Sequence, residues 1–335
     1  MKNIKKLCAA SIALLSAVAI TSCSAKDLNT FEVGILQYAT HPALGKATDG
    51  FKKALEDKVP SGKKVNFTVL NPEGDATNTL TMANQLVRKS DLVLGNATPA
   101  ATQLISSAAT EGKNDLPILF TSVTDPVGAH LVSANSGAGH KENVTGTSDM
   151  NPIDQQVDMI FDFDSSVDKV GFIYNVAEVN SKTQCDEFKK SLKAKHPNCE
   201  VSERTVSDQT QISATVKKLI DEGCDCLYVP TDNLMAANVS TITNETNLAK
   251  IPVYGGESGL VDSGATMSLS ISYYELGYTT GEMAAKILFD GVKANTIDVV
   301  SQTDTSKMEF VYSKAAMDLM ELTFTDSFKT KYKVK

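Results

Sequence analysis

Along the chain, short runs of apolar residues alternate with longer segments in which apolar positions recur at helical spacing. The first kind predicts strands buried on both faces, the second amphipathic helices. In the first half, strands are expected over Val33–Gln37, Val65–Leu70, Asp91–Leu94 and Leu116–Phe120. Helices are expected over Leu44–Leu55, Ala76–Arg88 and Pro99–Thr110, with a capping turn at Asn71–Asp75. A small-residue loop, Ser133–Asn143, is followed by Asn143–Thr147, which reads as a crossing toward a helix from Pro152 to Phe163. The second half repeats the alternation. Its strands are Val170–Tyr174, Glu200–Val206, Asp225–Pro230 and Pro252–Tyr254; its helices are Ser181–Lys195, Gln211–Glu222 and Leu234–Leu248. Beyond these, Ala265–Ser272 reads as a strand and Tyr274–Phe289 as a helix in which Gly277 and Gly281 permit close packing. Val299–Thr303 and Lys307–Tyr312 read as extended and Ala315–Leu322 as helical. Regular β-α alternation predicts an α/β fold of doubly wound parallel sheets.

The two halves are copies. Val33–Leu55 aligns without a gap to Val170–Leu192, with identity at Val33/Val170, Gly34/Gly171, Asp49/Asp186, Phe51/Phe188, Lys52/Lys189, Lys53/Lys190 and Leu55/Leu192. The echo continues: Asp91–Pro99 matches Asp225–Asn233 in pattern, so Thr98 and Asp232 stand at equivalent strand ends. A repeat of this length is a supersecondary unit used twice. Parallel sheets bind ligands at the carboxyl ends of their strands. Two doubly wound lobes joined by a hinge, with those ends facing one cleft, is the simplest arrangement. The lobes are expected over 31–147 plus 273–303 and 148–272 plus 304–330.

A chain of 335 residues is long enough for two cores, and its net charge of −8 repels nucleic acid. Met1–Ser22 reads as an export signal: Lys2, Lys5 and Lys6 precede the apolar stretch Leu7–Ile20, too short to span a bilayer comfortably. Ile20-Thr21-Ser22-Cys23 resembles a bacterial lipobox, which would make Cys23 the lipidated N-terminus; plain signal cleavage is the alternative. Residues 23–30 are then a tether to the membrane. The remaining cysteines, Cys185, Cys199, Cys224 and Cys226, allow three disulfide pairings, free thiols, or a zinc site of unusual spacing.

Enzyme signatures are missing. Gly45 and Gly50 lack the lysine of a phosphate-binding loop, Gly137-Ala138-Gly139 lacks a third glycine, and Gly256-Glu257-Ser258-Gly259 has the wrong spacing for a nucleophile elbow. His41, His130, His140 and His196 show no metal-ligand spacing, and no cofactor is implied. What is present suits a zwitterion. A carboxylate is held by amides at a helix start, here Thr98-Pro99-Ala100-Ala101 or Asn180-Ser181, with hydroxyls at Thr98, Ser122, Thr124 and Ser181. An ammonium needs a carboxylate, Asp232 first and Glu178 second, and an apolar side chain needs walls such as Tyr38 and Phe120. Each has a plainer reading: Thr98, Ser181 and Asp232 as helix caps, Tyr38 and Phe120 as core.

At these residues the chain resembles the substrate-binding lipoproteins of ABC importers, tryptophan/tyrosine type, with the type I periplasmic-binding fold. The resemblance rests on Gly34–Gln37 with His41–Leu44, Ala97–Ala100, Val123–Val127, Asn143–Gly146, Glu178 with Asn180-Ser181, Pro230 with Asp232-Asn233, and Tyr273–Gly277. It implies two lobes with three crossings, no catalysis, and a free, aromatic amino acid between the lobes. It also implies a monomer delivering to a membrane permease and its ATPase. It places Gln37, His41, Ala97, Asn233 and Ser272 at the ligand with the residues above. Gly45 and Ser272 stand where the family has aspartate. Rival readings are an enzyme using His41 and Glu178 as acid and base, and a sensing or adhesive surface lipoprotein.

Overall fold

A computed structural model describes residues 27–136, 143–302 and 308–334. The export segment, Cys23 and most of the tether lie outside the described residues, as do parts of the 133–143 loop and of the extended segments near 303–307.

The first sheet collects β1 (Thr30–Gln37), β2 (Lys64–Leu70), β3 (Leu92–Asn96), β4 (Ile118–Val123) and β5 (Val144–Ser148). Between them run α1 (Pro42–Lys58), α2 (Ala76–Lys89) and α3 (Thr98–Thr110). Asn143–Thr147, read as a crossing, is therefore mostly strand: Val144 pairs with Ile118 and Ser148 with Val123. The chain leaves the first lobe only afterwards, through Asp149–Pro152 into α4 (Ile153–Phe163).

The second lobe is built from β6 (Lys169–Asn175), α5 (Val179–Lys195), β7 (Glu200–Val206), α6 (Ile212–Asp221), β8 (Cys226–Val229), α7 (Asn233–Ala237), α8 (Val239–Ala249), β9 (Val253–Gly255), α9 (Ser258–Asp262) and β10 (Met267–Ser270). The helix expected over Leu234–Leu248 is broken at Asn238, whose side-chain amide turns back to the Leu234 carbonyl at 2.8 Å. The short α9 was not foreseen. The chain then returns to the first lobe with α10 (Tyr273–Asp290) and β11 (Val300–Ser301). It ends in the second with β12 (Glu309–Tyr312), α11 (Lys314–Met320) and α12 (Asp326–Tyr332).

The strand orders are β2-β1-β3-β4-β5-β11 and β7-β6-β8-β9-β10-β12, the same path twice. One strand departs from the parallel expectation: β12 runs antiparallel to β10, because it enters its sheet from the first lobe. Both sheets are covered on both faces. Leu36, Val93, Ile118 and Phe120 face one side of the first sheet, and Val33, Ile35, Leu92, Leu94 and Leu119 the other. This double burial is why the strands read as unbroken apolar runs. In the second sheet Cys185 and Cys226 lie in one cluster and Cys224 in the opposite one; all four cysteines are free. Burial raises the Cys185 and Cys226 thiols well above their usual range, which makes them inert packing groups.

The glycines expected to allow close packing do so. A Cβ on Gly277 would stand 1.9 Å from the Ala47 carbonyl oxygen, and one on Gly281 2.5 Å from that of Phe51, so α10 lies directly on α1. Among the described residues no helix is long and apolar enough to cross a membrane.

Candidate functional site

The carboxyl ends of the strands of the two sheets face one another across a closed seam. On the first lobe, His41 caps α1: its Nδ1 accepts from the Ala43 amide at 3.0 Å. Nε2 therefore carries the proton, and it points across the seam to Glu257 Oε1 at 3.4 Å. Burial holds His41 down at about 4. Glu257 caps α9, accepting from the amides of Gly259 and Leu260, and burial raises it to about 7. Beside them Lys46 meets Asp262 at 2.7 Å, an exposed pair worth at most about 1 kcal/mol. A Cβ on Gly259 would come within 2.9 Å of both the Ala43 nitrogen and His41 Cε1. At that point the lobes meet too closely for any side chain at 259.

The strand ends of the first lobe are distorted where they reach the cleft. Ala97, after β3, has φ 93° and Ser122, in β4, has φ 54°, both in the left-handed region. The pairing of β4 with β5 shifts register between Phe120 and Val123. A bulge of this kind re-aims side chains next to a site, and non-glycine strain is held where function requires it. Thr98 and Ala100 lie in the first turn of α3, ahead of Ala101, whose amide donates to the Ala97 carbonyl at 3.1 Å. Helix geometry leaves their backbone ends without an intrahelical acceptor. The Ser122 and Thr124 hydroxyls are buried and take no partner from the protein.

Other candidates are committed within their own lobe. Gln37 donates to the Ala39 carbonyl at 3.1 Å and accepts from Thr48 at 2.8 Å, which shapes the β1–α1 turn. Asn180 and Ser181 both donate to the Thr231 carbonyl, at 2.8 and 3.1 Å. They pin one strand-end turn to the next. Asp232 caps α7 by accepting from Met235 N at 2.9 Å, and its second oxygen accepts from Asn175 N at 2.7 Å. Glu178 accepts from the Asn233 and Leu234 amides and from the Asn233 side chain at 2.7 Å. Burial, then repulsion by Asp232, raises Glu178; burial raises Asp232 too. Asp232 is thus the helix cap of its plainer reading, whereas Ser181 lies inside α5, whose cap position is held by Glu178.

Tyr38 is half-buried, its hydroxyl donating to the Gly74 carbonyl at 3.2 Å. Burial raises its phenol, and Glu178 and Asp232 of the second lobe and Asp75 of its own raise it further. Phe120 corrects the sequence reading. It is fully buried on the α2–α3 side of the sheet with Leu36 and Val93 and forms no wall of the cleft. The Ala100 side chain is core as well, leaving only its backbone for a ligand. Ser272 caps α10, accepting from Glu275 N at 3.5 Å. Serine and aspartate are near-equal in that role, which accounts for the exchange at this position. Gly45 has open space around its Cβ direction, so the family's aspartate would fit there.

Two buried acids escaped the sequence reading, Glu257 and Asp149. Asp149 directly follows β5, the strand that the sequence reads as a crossing. The same strand-end argument applied to β5 reaches it. Glu257 caps a five-residue helix that leaves little periodic signal.

Two repeated α/β lobes, linked by several crossings and meeting through strand-end turns, define a two-lobed substrate-binding protein of type I periplasmic architecture. The chain belongs to the ABC transporter substrate binding protein family, whose model matches residues 32–331. It is 36% identical over 293 residues to the tyrosine-binding protein of Clostridioides difficile, covering 87% of this chain and 82% of that one. Among solved structures it is similar to an ABC domain from Streptococcus pneumonia in complex with L-Trp (33% identity, TM-score 0.78, 90% and 98% of the two chains). It is also similar to the ligand-free, open structure of a substrate binding protein with adhesive properties from Clostridium difficile (31%, TM-score 0.65, 88% and 96%). The family is one of binders, so the chain is a substrate-binding protein and not an enzyme.

Proposed function

We infer that this chain is the extracytoplasmic binding component of an amino-acid importer and takes a free aromatic amino acid between its lobes. The observation that carries the ligand class is the 36% identity, across most of the chain, to a protein named for binding tyrosine. The relative in complex with L-Trp supports the same class. The ligand enters the open form on one lobe, and closure completes the contacts from the other. The first-turn amides of α3 hold the carboxylate, and the Tyr38 ring lies along the side chain. The closed complex delivers its ligand to a membrane permease coupled to an ATPase. The lobes run over 31–147 plus 273–303 and 148–272 plus 304–330, save that Ser148 pairs within the first sheet, and the protein acts as a monomer.

The test is mass spectrometry of whatever co-purifies, followed by a thermal-shift screen of free amino acids. Tyrosine or tryptophan at 100 times its Kd is expected to add about 2.7 kcal/mol of stability. Stabilisation by non-amino-acid metabolites alone would sink the reading.

In the same reading Cys23 carries the lipid and 23–30 spaces the lobes from the membrane. Cys23→Ser is expected to move the protein from the membrane fraction to the soluble one on fractionation; an unchanged distribution would rule out that anchor. Surface adhesion is a second reading, favoured by the relative with adhesive properties. A ligand-loaded protein that fails to stimulate its permease's ATPase would favour it.

A further inference from the structure

Asp149 is fully buried at the point where the chain leaves the first lobe. One of its oxygens, Oδ2, accepts from the Tyr273 hydroxyl at 2.7 Å; the other, Oδ1, takes no hydrogen bond from the protein. Asp232 differs here, because an amide already donates to each of its oxygens. The Thr124 hydroxyl lies close enough to Asp149 to favour its ionised form, without the geometry of a regular hydrogen bond, and it has no other partner. Ser122, at the bulge on the same strand end, also has an unpartnered buried hydroxyl.

The charges around Asp149 are one-sided. Glu257 is a second buried acid that acts on it, and the base it acts on is His41. His41 cannot balance them, because protonating Nδ1 would break the cap on α1. A buried carboxyl with no cation nearby is costly to ionise, and burial does raise Asp149, to about 6, against the opposing pull of the Tyr273 and Thr124 hydroxyls. An ammonium brings one positive charge and three donors, which suits one carboxylate oxygen and two hydroxyl oxygens.

We propose that Asp149, and not Asp232, is the counter-ion of the ligand's α-ammonium, with the Thr124 and Ser122 hydroxyls completing the subsite at the floor of the cleft. This rests on the reading of the chain as an amino-acid binder. The position also ties binding to closure. Asp149 is laced to the return crossing: Asn151 donates to the Asp149 carbonyl at 3.0 Å and accepts from the Ile271 amide at 3.2 Å. An ammonium held at Oδ1 therefore sits on the segments about which the lobes turn.

The test compares each amino acid with its analogue lacking only the amine: L-tyrosine with 3-(4-hydroxyphenyl)propanoate, and L-tryptophan with indole-3-propanoate, by calorimetry. Wild-type protein is expected to prefer the amino acid by roughly 100-fold or more. Asp149→Asn is expected to shrink that preference below roughly ten-fold, by weakening the amino acid while leaving the analogue's Kd unchanged. A preference retained in Asp149→Asn, or lost in Asp232→Asn alone, overturns the proposal. So does an equal loss for both members of a pair. If Asp149→Asn does not fold by circular dichroism, the near-isosteric Thr124→Val carries the comparison: a loss confined to the amino acid supports the subsite, and an equal loss for both ligands refutes it. Wild type binding neither amino acid removes the importer reading itself. Wild type binding both without preferring the amine removes only the role of Asp149.

Discussion

Gly259→Val is expected to weaken ligand binding by roughly 100-fold while both lobes stay folded. The reason is local. In the closed form a Cβ at 259 would meet the Ala43 nitrogen and His41 Cε1, both at 2.9 Å. Both belong to the opposite lobe, and one is backbone that cannot swing aside. Overpacking of this kind costs about 1–3 kcal/mol, and the upper end is about two decades in an equilibrium constant. In the open form those two neighbours withdraw, while Glu257 Oε2, also 2.9 Å away, stays because it belongs to the same lobe; it is the far end of a side chain, so the variant burdens closure more than folding. Calorimetry reads the affinity and small-angle scattering the shape. An unchanged Kd with a ligand-induced compaction like that of wild type would mean this seam is not part of the liganded state.

Gly277→Val falls on the fold itself. The new Cβ would lie 1.9 Å from the Ala47 carbonyl oxygen and 2.7 Å from Ala47 Cα, inside the backbone of α1. Helix α1 carries His41 at its start and packs Phe51 and Leu55 into the first sheet, so it cannot move without opening that core. A loss of roughly 3 kcal/mol or more is expected, read as a lowered urea midpoint. A midpoint equal to that of wild type would contradict the described packing of α1 on α10.

The fold was legible because its strands are covered on both faces. Runs such as Leu92-Val93-Leu94 and Phe172-Ile173-Tyr174 admit little else, and the ungapped match of Val33–Leu55 to Val170–Leu192 signalled the duplication. What escaped was short or non-local. The five-residue α9 is less than two helical turns, and the direction of β12 depends on which lobe the chain arrives from. At the site, locating strand ends was not enough, because side chains alternate across a sheet. Phe120 shares its face with Ile118 and belongs to the core; the cleft begins at Ser122, within the bulge. The pairing of His41 with Glu257 joins residues far apart in sequence, and only the closed arrangement reveals it.

The shared strand path has a consequence for biogenesis. The first lobe is not finished when its opening segment emerges: α10 and β11, which cover α1 and complete its sheet, are synthesised after nearly all of the second lobe. Until they arrive, the face of α1 that carries Ala47, Gly50 and Ala54 has no cover. Strict N-to-C domain-by-domain folding is thus denied to this protein. An exported chain of this design must be kept from aggregating until almost its whole length has been translocated, and a premature stop after β10 would cripple the half made first.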